Sequence, residues 1–221
     1  MNSDLFARRP LKSRSAAWAG GLARVLLRAG IRPNQVSAAS AVFALGTAGC
    51  LLYGGQVMPQ GLAWVLAAAG IQLRLICNLM DGMLAVEGGL KTANGDLFNE
   101  FPDRISDLAI LAALGQAGGT PASATLGWLA ACGALMTACV RMHGASLIGT
   151  HDFRGPMAKP QRMALATVIC LLMAGLSGTN VKVPVVAWLL GVMVLGIFIT
   201  LVRRLTALSR ALHQRQLPPA P

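Results

Sequence analysis

Acidic side chains are scarce: the 221 residues hold eight Asp and Glu against nineteen Lys and Arg. Charged residues of both signs make up only 12% of the chain, and aromatic residues 5% with a single tyrosine. So few charges cannot clothe the surface of a water-soluble domain of this size. The five cysteines (Cys50, Cys77, Cys132, Cys139 and Cys170) are odd in number and lie within or at the ends of apolar runs. They read as small hydrophobes and not as a disulfide framework. No Ser/His/Asp or Cys/His arrangement is legible, and His151 and His213 read as ordinary loop and tail residues. Internal repeats are lacking, and the only biased tract is a short Pro/Ala tail. No cleavable leader is expected, because the first apolar run starts near residue 38, too late and too long.

What the chain has is apolar length. Hydrophobic residues reach 55%, and several runs approach the roughly 18–20 residues needed to cross a bilayer. The expected fold is an all-α polytopic membrane protein with six spans, at about 37–54, 61–80, 99–118, 121–145, 160–178 and 183–203. Residues 1–36 form a basic N-terminal segment, 37–205 the membrane domain and 206–221 a basic Pro/Ala tail. In 21–30, GLARVLLRAG, the residues Leu22, Val25, Leu26 and Ala29 share one face and Arg24 and Arg28 another, as in a basic amphipathic helix lying on a membrane surface. Gly30 stops it, Pro33 and Asn34 make a turn, and Ser37 is the expected N-cap of the first span.

The net charge of +11 is not a nucleic-acid signature, because of where the charges lie. Basic residues crowd the N-terminus (Arg8, Arg9, Lys12, Arg14, Arg24, Arg28, Arg32), the central loops and the C-terminus (Arg203, Arg204, Arg210, Arg215). The loops at about 55–60, 119–120 and 179–182 contain one basic residue, Lys182. By the positive-inside rule those loops face out, and both termini, the acidic stretch and the loop 146–160 face the cytoplasm.

The acids are concentrated. Asp81, Glu87, Asp96, Glu100, Asp103 and Asp107 fall within 27 residues, at the edge of apolar segments where carboxylates are costly and mark function. On a helix, Asp96, Asn99, Glu100, Asp103 and Asp107 lie within an arc of about 100°. Asn78 and Asp81 share a face at the end of the preceding apolar segment. Two helix ends joined by a Gly-rich loop then aim oxygen ligands at each other. Such hard oxygens suit Mg²⁺ or Mn²⁺, ions that commonly accompany phosphates. The candidate metal set is Asn78, Asp81, Asn99 and Asp103, with Glu100 adding to it. Gly82 directly after Asp81, with Gly88, Gly89 and Gly95, allows close backbone approach to a ligand. Lys159 and Arg162 in GPMAKPQR either neutralise phosphates or anchor the chain to lipid headgroups. Arg141, inside span four, is expected to pair with the acids, and Arg104 with Asp107 or Glu100; Arg74 and His143 have weaker cases. Pro102 sits in the first turn of span three if that helix starts near Asn99, and kinks it if the helix starts earlier.

Residues 78–103 resemble the signature of the CDP-alcohol phosphatidyltransferase family, Asp-x2-Asp-Gly-x2-Ala-Arg-x8-Gly-x3-Asp-x3-Asp. Here the same intervals read Asn78-x2-Asp81-Gly82-x2-Ala85-Val86-x8-Gly95-x3-Asn99-x3-Asp103, with five of the eight signature residues kept. Asp103-Arg104-x2-Asp107 is similar to the family's continuation, and Arg32-Pro33-Asn34 to its approach to the first span. The resemblance implies attack of an alcohol on the β-phosphate of a CDP-linked lipid such as CDP-diacylglycerol, releasing CMP. It implies that Asp81 and residues 78 and 99 hold metal, and that Asp103 is both ligand and general base. It also implies that Gly82, Ala85 and Gly95 line the cytidine site, and that Arg141, Lys159 and Arg162 contact phosphate. A homodimer in the inner membrane is implied as well. Three departures stand out: Asn78 and Asn99 replace aspartates, and Val86 replaces an arginine. This degenerate form resembles that of a bacterial subgroup. An active enzyme with a non-standard metal site is expected. The alternative is a catalytically inactive protein that binds CDP-lipid through the same cleft. A solute transporter is disfavoured, because the acids sit at one edge and not along a path through the bilayer.

Overall fold

The structure is a computed structural model; it describes residues 16–90, 95–179 and 184–216, apart from the side chains of Glu87, residues 95–99 and Gln216. Arg8, Arg9, Lys12, Arg14, Lys182 and the end of the tail lie outside the described residues. Seven helices are described: α1 (Ala17–Arg28), α2 (Pro33–Val57), α3 (Gln60–Glu87), α4 (Gly95–Ala117), α5 (Pro121–Ile148), α6 (Lys159–Leu176) and α7 (Val185–Gln216). Four of them, α2, α3, α5 and α7, are long and apolar enough to cross a membrane. The six expected spans therefore reduce to four on length and composition alone. α4 opens with acids, and α6 has only 18 residues and begins with Lys159 and Arg162.

The helix starts follow from local chemistry. Pro33 and Asn34 do not form a separate turn: Pro33 is the first residue of α2, where its missing N–H costs nothing. The cap is Arg32, whose N–H is accepted by Gln35 Oε1 at 2.9 Å, and not Ser37. Ser37 is one turn inside the helix and its hydroxyl is spent elsewhere. α5 opens with Thr120, Pro121 and Ser123 in a reciprocal capping box, Ser123 N–H donating to Thr120 Oγ1 at 3.0 Å. It closes on Gly149 at φ 72°, a left-handed position that glycine takes without strain. α3 runs on to Glu87, past the expected end at 80, so Asn78, Asp81, Gly82 and Ala85 are all helical. α4 starts at Gly95, earlier than 99, and Pro102 lies inside it, removing one intrahelical N–H···O bond.

α2 packs on α3 and α4, α4 on α5, α5 on α7, and α3 on α6. α4 and α5 cross backbone to backbone. A Cβ built on Gly115 would lie 2.6 Å from Gly127 Cα, and one on Gly127 would lie 2.6 Å from Gly115 Cα. The two backbones touch because neither residue has a side chain. The core is small and apolar, with Ala44, Ala67, Ile71, Ile110, Leu114, Ala130, Ala131 and Ile169 among its buried members. A second cluster seats Ala19 and Ala23 of α1 against Leu79, Met80, Met83 and Leu84 of α3. Many large apolar side chains face outward as well, Trp188 at 71% and Phe198 at 62% exposure among them. That distribution suits lipid and not water as the surrounding solvent.

Candidate active site

Polar side chains collect where α2, α3, α4 and α6 meet. Arg74, Asn78 and Asp81 recur at intervals of four and three on α3, hence on one face. Asp103 and Asp107 do the same on α4. The two faces interlock. Asn78 Nδ2 donates to Asp103 Oδ1 at 2.8 Å. Arg74 Nη2 donates to Asp103 Oδ1 at 3.1 Å, to the Asp103 carbonyl at 3.3 Å and to Asp107 Oδ1 at 2.7 Å. Arg74 is wholly buried.

α2 supplies two hydroxyls. Ser37 Oγ donates to Asp81 Oδ2 at 2.9 Å, and Ser40 Oγ to Asn78 Oδ1 at 2.6 Å. α6 supplies two cations. Lys159 Nζ pairs with Asp103 Oδ2. Arg162 Nη2 reaches Asp107 Oδ2 at 3.3 Å, while its Nη1 donates to Thr137 Oγ1 at 3.1 Å and to the Met157 carbonyl at 3.0 Å. Buried and turned inward, Arg162 is a structural tie between α4, α5 and α6, and its guanidinium is not presented to a phosphate as expected.

Glu100 belongs to a second group. Arg141 Nη2 donates to both of its oxygens, at 2.7 and 2.8 Å, and Arg104 pairs with it as well. The expected pairing of Arg141 with the acids is therefore present, and Glu100 faces two cations. Arg141 also stacks over Phe153, 5.6 Å from the ring centre. A cavity of about 510 Å³ opens beside this pair, lined by Arg141, His151, Asp152, Phe153, Arg154 and Arg204. Asp152 accepts from Arg154 N–H at 2.9 Å and from its guanidinium at 3.0 Å. Partial burial pushes the Asp152 carboxyl up, the Arg154 hydrogen bonds outweigh it, and the net direction is down. Arg204 is tied to the Arg154 and Thr137 carbonyls at 2.9 and 2.8 Å.

Gly82 and Ala85 follow Asp81 on α3 and are half-buried, and Val86 beside them is exposed. Gly95 is the first residue of α4. The side chains of Asn99 and Asp96 lie outside the described residues. Sequence reasoning undervalued Arg74 and passed over Ser37, Ser40 and Arg204 as site residues. For Arg74 a signal was present: an arginine inside an apolar run, one turn before Asn78.

Whether a divalent cation fits depends on which oxygens remain free. Asp81 is only 3% exposed and its Oδ1 has no hydrogen-bond partner. A bare buried carboxylate oxygen is costly, and a hard cation is its natural partner. At Asp103 both oxygens are engaged by Lys159, Arg74 and Asn78. Among the described residues no three His, Cys, Asp or Glu side chains converge as a metal cage. The donor set fits one divalent cation at Asp81.

No family model matches the sequence, and no curated protein matches it. Solved structures do. Mycobacterium tuberculosis phosphatidylinositol phosphate synthase (PgsA1) with CDP-DAG bound superposes with a TM-score of 0.70 at 20% identity, over 87% of this chain and 94% of that one. The same synthase in complex with manganese and citrate gives 0.69 at 20% identity, over 86% and 88%. Its apo form gives 0.64 at 22% identity, over 84% and 93%. This chain has the helical fold of that synthase across nearly the whole length of both.

Proposed function

We propose that the protein is an integral membrane phosphatidyltransferase that moves a phosphatidyl group from CDP-diacylglycerol, or a similar CDP-linked lipid, to an alcohol and releases CMP. The observation that carries this reading is the Asp81/Asn78/Asp103 constellation of α3 and α4, held on the fold of a phosphatidylinositol phosphate synthase whose structures include CDP-DAG and manganese complexes.

Asp81, with the amide oxygen of Asn78, would hold a Mg²⁺ or Mn²⁺ ion; Asn99, expected from its spacing to join them, has a side chain outside the described residues. When bound, that ion supplies charge neutralisation for the pyrophosphate and the CMP leaving group. Asp103 is the base. It is 15% exposed, against 2% for Asp107, so its carboxylate is the one an acceptor hydroxyl can reach. The hydroxyl proton passes to Asp103 as the oxygen bonds to the β-phosphorus and the bond to CMP breaks. Arg74, Asn78 and Lys159 fix the orientation of that carboxylate. Gly82, Ala85 and Gly95 bring backbone close to the cytidine. The cavity beside Arg141 takes the acceptor. At about 510 Å³ it suits a small polyol, and its arginines favour one that carries a phosphate.

α4 and α6 complete a six-span bundle, because their described charged side chains pair within the cleft and do not point toward lipid. The site opens to the cytoplasm of the inner membrane. The basic residues Arg24, Arg28, Arg154, Arg203, Arg210 and Arg215 support that orientation. The test is CMP release by purified protein in detergent, given CDP-diacylglycerol, Mg²⁺ or Mn²⁺ and a panel of alcohols, with Asp103→Asn as control. Metal-dependent release that requires one alcohol is expected. Intact CDP-lipid binding with no release from any alcohol would move the assignment to an inactive binding protein, the reading that Asn78, Val86 and Asn99 favour.

A further inference from the structure

We infer that Lys159 is a resident cation of the site: its ammonium group stands in place of a second divalent ion, so the cleft takes one metal ion and not two. This rests on the metal-dependent transferase reading above. Lys159 Nζ lies against Asp103 Oδ2, the carboxylate that a second ion would need. Asp103 Oδ1 is engaged too, by Asn78 Nδ2 at 2.8 Å and Arg74 Nη2 at 3.1 Å. Asn78 thus turns its NH₂ group toward Asp103, and an NH₂ group cannot ligate a cation. Flipping the amide would set its oxygen against the carboxylate with no proton between them. The Ser40 hydroxyl can serve either end, so Asp103 fixes the orientation.

Charge points the same way. Asp103 and Asp107 face three cationic side chains, Arg74, Lys159 and Arg162. A divalent ion placed on Asp103 would meet that positive excess. Asp81 differs in degree: the neutral Ser37 hydroxyl donates to its Oδ2, its Oδ1 has no hydrogen-bond partner, and among the described residues no Lys or Arg lies within ion-pair distance of it, Lys159 acting on its charge only from farther away. Lys159 is also positioned by the fold. It is the first residue of α6, Pro160 follows it, and Arg162 ties that turn to Asp107. A lysine presents a compact point charge, the side-chain form closest to a metal ion.

The test counts ions. Full-length protein in detergent is titrated with Mn²⁺, and the free ion is followed by electron paramagnetic resonance. The native chain is expected to take up one Mn²⁺. Lys159→Met is expected to take up two, and Lys159→Met with Asn78→Asp two with an exchange-broadened spectrum. Two ions on the native chain, or one on folded Lys159→Met, would overturn the inference. No bound Mn²⁺ on the native chain would overturn the metal-site reading itself. Where Lys159→Met fails to fold, Lys159→Arg and Asn78→Asp each keep a cation at Asp103 and are expected to bind one ion; two ions on either would also overturn it.

Discussion

Replacing Arg74 with methionine should destabilise the bundle more than any other single change in the cleft. The side chain is wholly buried, and Met matches its length without its charge. The substitution removes the 2.7 Å donor to Asp107 Oδ1, the 3.1 Å donor to Asp103 Oδ1 and the 3.3 Å donor to the Asp103 carbonyl. Asp107 is only 2% exposed, so water cannot replace the lost donor, and Arg162 at 3.3 Å is its remaining partner. Breaking a buried pair from one side costs about 3–5 kcal/mol. The expected loss lies in that range, because Asp103 keeps Lys159 and Asp107 keeps Arg162. Unfolding in mixed micelles of rising SDS content, followed by far-UV circular dichroism, measures it. A double-mutant cycle of Arg74→Met with Asp107→Asn, a change that also takes the carboxylate of Arg162, should show a coupling of about 2 kcal/mol between the two sites. A loss below about 1 kcal/mol, or no coupling, would refute the claim that this ion pair holds α3 to α4.

Asp103→Asn should lower CMP release by about 10²–10⁴-fold, with some loss of stability too, because the amide keeps an acceptor oxygen for Asn78 and Arg74 but turns its NH₂ group toward Lys159; near-native turnover would remove Asp103 as the base. Gly127→Val should force α4 from α5 and cost about 1–3 kcal/mol, because even a Cβ would lie 2.6 Å from Gly115 Cα; an unchanged melting temperature would mean that the crossing is looser than described. Ser37→Ala removes the hydroxyl donor to Asp81 and should weaken Mn²⁺ binding about tenfold or more, with unchanged affinity showing that Asp81 needs no orienting partner. Arg154→Gln should raise KM for the acceptor about tenfold without changing KM for CDP-diacylglycerol, and equal effects on both would separate the cavity from the acceptor.

The helices were legible because bilayer length imposes long apolar runs, although Pro33, read as part of a turn, is the first residue of α2. The boundaries near the site were less so. The third helix is expected to end at 80, yet α3 continues to Glu87, since packing of Met80, Met83 and Leu84 against α1 outweighs the propensity cost of about 1 kcal/mol at Gly82. Ser37 has the composition of an N-cap, but the Arg32–Gln35 box starts the helix earlier and frees Ser37 for a partner 44 positions away. Asn78, Asp81 and Asp103 were found because their spacing within one stretch is regular. Arg74 and Arg162 meet Asp107 across 33 and 55 positions, and no local pattern encodes such a meeting. The roles of Glu100 and Arg162 hinged on the same long-range geometry.

The central claim is transfer, and a single-turnover experiment that follows both products tests it most directly. Enzyme in excess over CDP-diacylglycerol, with Mg²⁺ and one acceptor, is quenched at intervals, and CMP and lipids are quantified by mass spectrometry. Equal amounts of CMP and a new phosphodiester lipid, both dependent on the acceptor, are the expected result. CMP accompanied by phosphatidic acid, or no consumption of CDP-diacylglycerol with any acceptor, would contradict it.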